Sequence, residues 1–448
     1  MTIETESPSL SWKFNPPSRP VQALLLALVV AGCAAAPVVN AFGERGNKDY
    51  PLWYKTGQKF LQGEELYPTN GDVFPFMYPP FAGFALGALS HLGPTGMVLA
   101  LLALNAISVF LAIELSVRLV AGTPVVSLWL RAIPAAVCLF FIADMFTLGQ
   151  PNLGLMVLIL GGLMLLRNGY WAWAGGLFAL ATAIKAFPAI VLVYLLWRRE
   201  WKAAGAMVAV TALLIAVVPA PQRGFERNLI EVRTWADGML FRSGEKGVGQ
   251  RPEQSVSWRN QSLLGVGHRY LRPANAEADA FDINIPPQYV NLADLNYQQA
   301  SLVLMGCSAL LGLGFILVLP ARANRTRRTD ALEFSLLLLL MVIGTPYAFS
   351  YYFVWLIPPL TVCVARGLHG PRRGDRWLGW GGVIAVTVFF ALGIESATTD
   401  NHTFMALGNL FWAAFSLVLA LAAMLAGERR DTMFDGRSRR TASRTEAK

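Results

Sequence analysis

The sequence predicts an all-α polytopic membrane protein with about twelve transmembrane helices, the number of sufficiently long apolar runs along the chain. Of its 448 residues 55% are hydrophobic and only 15% are charged. Soluble domains carry about 45–50% apolar and about 25% charged residues, so both departures point toward lipid. The mean hydropathy is +0.46. These values exclude a disordered chain and a soluble enzyme with one modest core.

A span needs about 20 apolar residues. Runs that qualify are 21–42, 94–120, 125–146, 150–166, 203–219, 299–320, 331–345, 348–365, 377–394 and 404–426. Two less regular runs are 77–91 and the proline-interrupted 170–197. The chain therefore divides into a segment 1–20, a membrane domain 21–426 and a basic tail 427–448. Val30-Ala31-Gly32-Cys33 resembles a lipoprotein cleavage box, but the apolar run continues to Phe42, which favours an uncleaved first helix.

Orientation follows from Lys and Arg, which concentrate on cytoplasmic loops. Five basic clusters (Lys13/Arg19, Arg198–Lys202, Arg322–Arg328, Arg366–Arg376 and the tail) hold 20 of the 37 basic residues. Counting spans from residue 198 onward puts every later cluster on one side, so both termini are expected in the cytoplasm of a cell whose plasma membrane this chain crosses repeatedly. The formal charge of +9 is then an orientation signal, and no nucleic-acid partner is implied. Two polar loops face outward: 43–76 and the longer 220–298, whose nine basic and nine acidic residues balance.

Parity leaves two arrangements for 170–197. As one span it puts Lys185 near mid-bilayer. As a hairpin broken at Lys185-Ala186-Phe187-Pro188 it turns Lys185 and Gly149-Gln150-Pro151-Asn152 outward together. A charge at a helix centre costs about 2.5–3.5 kcal/mol, which favours the hairpin.

The first outer loop carries the most information. Leu52, Trp53, Thr56, Gly57, Phe60 and Leu61 recur at helical spacing, with Lys55, Gln58, Lys59 and Gln62 on the other face. Pro51 suits the first turn and Gly63 the exit, so 49–63 reads as a short amphipathic helix along the membrane surface, its basic face toward lipid phosphates. Asp49 stands just before it. Its ordinary role would be a helix cap; its chemical one, a general base for an acceptor hydroxyl. Tyr78-Pro79-Pro80 closes the loop, where aromatic residues anchor at the interface or stack on a sugar. Cys33, Cys138, Cys307 and Cys363 lie in apolar runs and the four histidines are scattered, so no metal site and no cofactor is implied.

An acid after the first span, then Tyr54, Gly63, Tyr67 and the aromatic-Tyr-Pro-Pro run, resembles the PimE-like polyprenol-phosphate-mannose-dependent α-mannosyltransferase family, within the GT-C superfamily of membrane glycosyltransferases. Further matches are Gly149-Gln150-Pro151-Asn152, Gly175 with Lys185-Ala186-Phe187-Pro188, Asn260-Gln261-Ser262-Leu263, and Thr345-Pro346 before Trp355. The resemblance implies a GT-C-like fold with short interfacial helices on its outer loops. It also implies inverting transfer of a hexose, mannose by the family, from a polyprenyl-phosphate sugar to a lipid or glycan acceptor on the outer face, with Asp49 as base. Where family members carry His after the Pro346 motif, this chain has Phe349-Ser350-Tyr351-Tyr352; tyrosine still donates a hydrogen bond but cannot be cationic.

Independently, a lipid-phosphate leaving group needs outward cations. Lys185 and Arg259 are best placed, then Lys48 and Lys55. Gln150 and Asn152 either bond neighbouring helices or touch ligand, and Asn260 and Gln261 stand beside Arg259 as substrate-binding candidates with Tyr54 and Tyr78. A transporter or flippase for a lipid-linked substrate is the different-class alternative, although no internal hydropathy repeat supports it.

Overall fold

The computed structural model describes residues 19–42, 49–68, 76–121, 127–241, 243–244, 247–248, 255–278, 285–398 and 402–446. Lys13, Glu44, Lys48 and Asp72 lie outside them. Helix follows helix: α1 (Arg19–Phe42), α2 (Tyr50–Gln62), α3 (Pro80–Ser90), α4 (Gly93–Ala121), α5 (Trp129–Val137), α6 (Leu139–Leu148), α7 (Asn152–Arg167), α8 (Trp171–Ile184), α9 (Ile190–Trp197), α10 (Trp201–Ala212), α11 (Ala220–Arg223) and α12 (Phe225–Ala236). After a two-residue antiparallel pairing of Ser243–Gly244 with Gly247–Val248 come α13 (Leu263–Leu271), α14 (Tyr297–Val318), α15 (Arg327–Gly344), α16 (Ile357–His369), α17 (Arg373–Thr398), α18 (Thr403–Ala406) and α19 (Asn409–Glu446).

The all-α membrane class is as the sequence predicts, while fewer than twelve of the described helices are long enough to cross by themselves. Seven helices among the described residues are long and apolar enough to cross, and α5 with α6 forms one further pair bent by 57°. The runs 77–91 and 150–166 become helices of 11 and 16 residues. At 1.5 Å per residue they extend about 17 and 24 Å, short of a hydrocarbon core about 30 Å thick.

The run 170–197 forms a hairpin, as expected from Lys185. Lys185 is extended (φ −149°, ψ 132°) and ends α8, and a 3-10 turn over Phe187–Ala189 starts the return. The start of α8 (Gly169, Trp171) and the residues after α9 (Arg199 to Lys202) line one cleft with Arg322 and Arg327, so both ends of the hairpin reach the same face. Small residues let α10 back this hairpin closely. A Cβ on Gly175 of α8 would sit 2.6 Å from the carbonyl oxygen of Ala203, so only glycine permits that approach.

The return arm is pinned in the core. Arg198 donates to Glu333 of α15 from Nε at 2.8 Å and to the Pro320 carbonyl from Nη1 at 2.8 Å, and the Tyr194 hydroxyl reaches the same carboxylate at 2.5 Å. Arg198 therefore has a packing role beyond the orientation signal. α15 itself starts at a reciprocal cap between Thr326 and Thr329 and is buried over nearly its whole length. It is a core helix wrapped by α16 and α19.

Candidate active site

α2 has the bounds the sequence predicts, with Pro51 in the first turn and left-handed Gly63 closing it. Its apolar face is covered by protein rather than left for lipid: Trp53, Thr56, Gly57 and Phe60 are buried, and a Cβ on Gly57 would meet the Leu86 carbonyl of α3 at 2.5 Å. Arg223, paired with Glu231, donates to the carbonyls of Lys59, Phe60 and Glu64 and satisfies the helix's open C-terminal end.

The other end of α2 is fixed against α6. The Tyr50 hydroxyl donates to the Phe146 carbonyl at 2.7 Å. Gly149, left-handed at φ 67°, follows α6, and a Cβ there would lie 2.8 Å from the Tyr50 ring. A turn built on glycine thus brings Gln150 opposite Asp49. Asp49 makes no side-chain cap to α2; its carboxylate instead accepts from Gln150 Nε2 at 2.8 Å, across 101 positions of sequence. The Tyr78 hydroxyl donates to Gln150 Oε1 at 2.6 Å. The amide orientation is chemically required, because an ionised carboxylate accepts only, so the NH₂ must face Asp49.

Two residues further along the same turn, Asn152 Oδ1 accepts from Lys185 Nζ at 3.1 Å. Lys185 is buried, and its ammonium lies 4.3 Å from the ring centroid of Tyr352, 4.9 Å from Tyr78 and 5.4 Å from Tyr351. Three aromatic faces partly compensate the desolvated cation. The carboxylate of Asp49 also acts on it through space. Asn152 is fully buried, its backbone carbonyl taken by Trp355 Nε1 at 2.8 Å, yet its Nδ2 has no partner. Trp53 Nε1, whose ring stacks on Tyr78 at 5.2 Å, is likewise without one. A buried cation beside orphaned N–H donors is an arrangement that an anion completes.

Sequence comparison decides what class of chemistry this arrangement serves. The sequence profile of glycosyltransferase family 87 matches residues 76–346, more than half of the chain. This chain belongs to glycosyltransferase family 87. It is similar to polyprenol-phosphate-mannose-dependent alpha-(1-2)-phosphatidylinositol pentamannoside mannosyltransferase of Mycobacterium tuberculosis, 25% identical over 92% of this chain and 88% of the relative. The enzyme of that name in Mycolicibacterium smegmatis is 27% identical over 80% of this chain and 77% of the relative. A phosphatidylinositol mannoside mannosyltransferase of the same organism is 24% identical over 83% of each chain. Among solved structures, ArnT from Cupriavidus metallidurans bound to undecaprenyl phosphate covers 92% of this chain and 78% of its own, at a TM-score of 0.41 and 14% identity. Membership of family 87 makes the protein a membrane glycosyltransferase and sets the transporter reading aside.

Not every candidate joins the cluster of this family 87 protein. Asp49, Tyr78, Gln150, Asn152, Lys185, Tyr351 and Tyr352 converge. Lys55 is exposed on the outer side of α2, and Tyr54 packs half-buried against the core. Asn260 and Gln261 spend all their hydrogen bonds on backbone. Asn260 Nδ2 donates to the carbonyls of Ser255 and Pro346 at 2.9 Å each, and its Oδ1 accepts from Ser262 and Ala348. Gln261 Nε2 donates to Trp258 and Met405 carbonyls, and its Oε1 accepts from Leu410. Together they clamp the strand of chain from which Tyr351 and Tyr352 emerge three residues later. Arg259 lies over Trp258 at 4.6 Å, in a stack continued by His402 and held by Glu277.

Two residues were not anticipated from sequence. Asp144 on α6 accepts a short hydrogen bond from Ser350, next to Tyr351. The rule that singles out Lys185, an ionisable group inside an apolar run, applies equally to Asp144. Arg269 is fully buried and donates to the carbonyls of Ala406, Ser257 and Asn260 at 2.7, 2.5 and 2.9 Å; nothing in its local sequence distinguishes it. Among the described residues no group of His, Cys, Asp or Glu is arranged to hold a metal ion.

Proposed function

We propose that this enzyme transfers mannose from a polyprenyl-phosphate mannose to a hydroxyl of a lipid or glycan acceptor, with Asp49 as the general base and Lys185 receiving the leaving phosphate. One observation carries the reading. Asp49 and Lys185 are held by residues two apart on one turn, Gln150 and Asn152, with the Tyr78 hydroxyl bonded to Gln150 and its ring beneath the Lys185 ammonium. A base and a phosphate-binding cation are thus anchored side by side on one turn.

In this reading the acceptor oxygen attacks the anomeric carbon as its proton passes to Asp49. The bond from that carbon to the phosphate oxygen breaks, its electrons leave with the polyprenyl phosphate, and the anomeric configuration inverts. Gln150 keeps the carboxylate aimed at the acceptor. Lys185, the open Asn152 N–H and the hydroxyls of Tyr351 and Tyr352 bind the charge that grows on phosphate, where a water-excluded site makes such donors most effective. The family relatives named for polyprenol-phosphate mannose and phosphatidylinositol mannosides support both the donor and a mannosylated lipid acceptor. The prenyl chain would lie in the apolar groove between α9, α14 and α15, lined by Ile190, Val193, Leu311, Phe315 and Leu340. Arg259, on a separate stack, has no assigned contact with the donor.

The basic clusters favour cytoplasmic termini in a plasma membrane, and the site, at the hairpin tip away from the Arg199–Arg327 face, would then open outward. The test uses purified protein in detergent with radiolabelled polyprenyl-phosphate mannose and a phosphatidylinositol mannoside acceptor. Wild type should form a labelled glycolipid, and Asp49→Asn should lose about 10²–10⁴ in rate while keeping the wild-type melting temperature. Turnover at the wild-type rate in Asp49→Asn would remove the base from this assignment. Label that never enters a new glycosidic bond would remove the donor.

A further inference from the structure

On the face opposite Asp49 the chain forms a second cleft, and its chemistry differs from that of the catalytic site. α8 is 14 residues long, so the hairpin tip and this cleft stand about 20 Å apart along it. The cleft has a volume of about 790 Å³ and is lined by the α7–α8 turn, the α9–α10 turn and the segment leading into α15. That is within the range of small-molecule sites, about 300–1,000 Å³.

Its charge is lopsided. Six lining residues are basic and two, Glu200 and Asp330, are acidic. Glu200 is engaged by Arg322 at 3.1 Å and Asp330 by Arg325 at 2.9 Å. Arg167, Arg199 and Lys202 form no ion pair with either carboxylate of the cleft, and only Asp330, already paired with Arg325, acts on Arg167 through space. Arg167 is the sharper case, because its Nε and Nη1 are shielded from solvent and have no hydrogen-bond partner. Shielded guanidinium nitrogens without an acceptor carry a desolvation cost that an anion would relieve.

Backbone geometry supplies an independent sign. Arg199 has φ 56° and is the non-glycine residue with a left-handed conformation among the described residues; the corresponding positions after α2, α6 and α7 are Gly63, Gly149 and Gly169. A side chain there costs about 1–2 kcal/mol over glycine. The strained position nevertheless carries an arginine, and its side chain enters the cleft lining. Backbone strain of this kind clusters at ligand clamps and active sites. The rim is aromatic: Trp171 and Trp201 line the cleft and are exposed, and Lys202 Nζ sits 5.0 Å over Trp171. Exposed tryptophans at helix ends mark the headgroup level of a bilayer.

We propose that this cleft binds a phosphate group, that of an anionic phospholipid in the leaflet opposite the catalytic site. Arg167, Arg199 and Lys202 hold the phosphate and the tryptophans lie along the glycerol and upper acyl region. Cationic pockets between membrane helices recognise lipid headgroups in this way.

The test is native mass spectrometry of the full-length protein in detergent, with added phosphatidylglycerol, phosphatidylcholine or inorganic pyrophosphate. Wild type should retain phosphatidylglycerol over phosphatidylcholine. Arg199→Gly removes one cation and relieves the strained backbone, so it should weaken phosphatidylglycerol binding about five-fold with no fall in melting temperature, and Arg199→Gly with Lys202→Gln about thirty-fold, as expected at about 1 kcal/mol per cation. Arg430→Gln, outside the cleft, should bind as wild type does. Pyrophosphate bound with the same dependence on Arg199 and Lys202 would support the phosphate site and assign it to a soluble ligand. Equal retention of phosphatidylglycerol and phosphatidylcholine, or phosphatidylglycerol binding unchanged in the double variant, would overturn the proposal.

Discussion

Two short stretches of this enzyme look alike in sequence and behave differently in the fold. Gly149-Gln150-Pro151-Asn152 and Asn260-Gln261 each place two amides in an otherwise apolar context. In the second, all four side-chain polar atoms are bonded to backbone groups of the Ser255–Ser262 loop and of distant chain near residues 346, 348, 405 and 410. In the first, the partners are a carboxylate, an ammonium and a phenol, and the Nδ2 of Asn152 has none. Amides that are fully paired hold the protein together; amides paired to ionisable groups, with capacity left over, are available to a ligand. Hydrogen-bond accounting, rather than residue type, separates the clamp from the site.

That comparison is most easily broken at Asn260. Asn260→Leu would remove the amide partner of the Ser255 carbonyl and of the Ser262 and Ala348 N–H groups in a buried loop, while the Pro346 carbonyl keeps the Ser262 hydroxyl, at about 1–3 kcal/mol for each group that finds no new partner. A total loss of about 4 kcal/mol is expected, read as a large drop in melting temperature and in recovered protein. A stable, fully folded variant with a raised donor KM would instead move Asn260 into the site.

The same loop region carries a pH signature. His268 on α13 is buried, stacked on Tyr297 with ring centroids 5.2 Å apart, and its Nδ1 has no partner. Burial lowers its pKa from 6.5 to about 4, with the nearby Arg272 acting in the same direction. The unfolded chain takes up a proton near pH 6.5 while the folded chain resists until about 4. Stability from the neutral ring is therefore complete above pH 6.5 and lost as pH falls through that window, on the order of 3 kcal/mol in all. Melting temperature measured from pH 7 to 4 should fall less steeply in His268→Phe than in wild type; parallel curves would show that this histidine does not titrate differently on folding.

Lys185→Gln sharpens the other side of the comparison. Loss of a charge-assisted contact to phosphate, about 1.5–3 kcal/mol, should lower kcat/KM for the polyprenyl-phosphate sugar about 10–100-fold. Because the cation is buried without a paired carboxylate in contact, its removal should leave the melting temperature unchanged or raise it. A destabilised variant with unaltered donor kinetics would make Lys185 part of the packing. The smallest effect is expected for Asn152→Ala, whose backbone bond to Trp355 survives. About ten-fold in kcat/KM would correspond to one lost hydrogen bond of about 1 kcal/mol or somewhat more, with little change in folding.

Several features were readable in the chain because their causes are local. α2 runs between a proline that suits a first turn and a glycine that suits an exit, and its apolar residues keep helical spacing. The break at Lys185 follows from the cost of a charge in an apolar run and the Phe187-Pro188 step. Asp144 answers the same rule, but its run otherwise reads as an ordinary span. Other features could not be read locally. Whether Asp49 caps α2 or faces Gln150 depends on a residue 101 positions away, and the saturation of Asn260 depends on backbone 86 and 88 positions away. Twelve apolar runs stand against seven long helices and one bent pair among the described residues, because apolarity does not tell a long spanning helix from a short one packed in protein.

By itself the sequence determined the solvent, the helical class, a preference for a break at Lys185 and the ionisable residues worth following, since hydropathy, helix period and the cost of charge in lipid act on neighbouring residues. Only the tertiary structure decided which amides are spent and which are open, that Asp49 turns to Gln150 and away from its own helix, and that Arg167, Arg199 and Lys202 share a cleft. Those outcomes depend on hydrogen-bond partners and counter-charges supplied from distant segments, and pairings of that kind exist once the helices have packed.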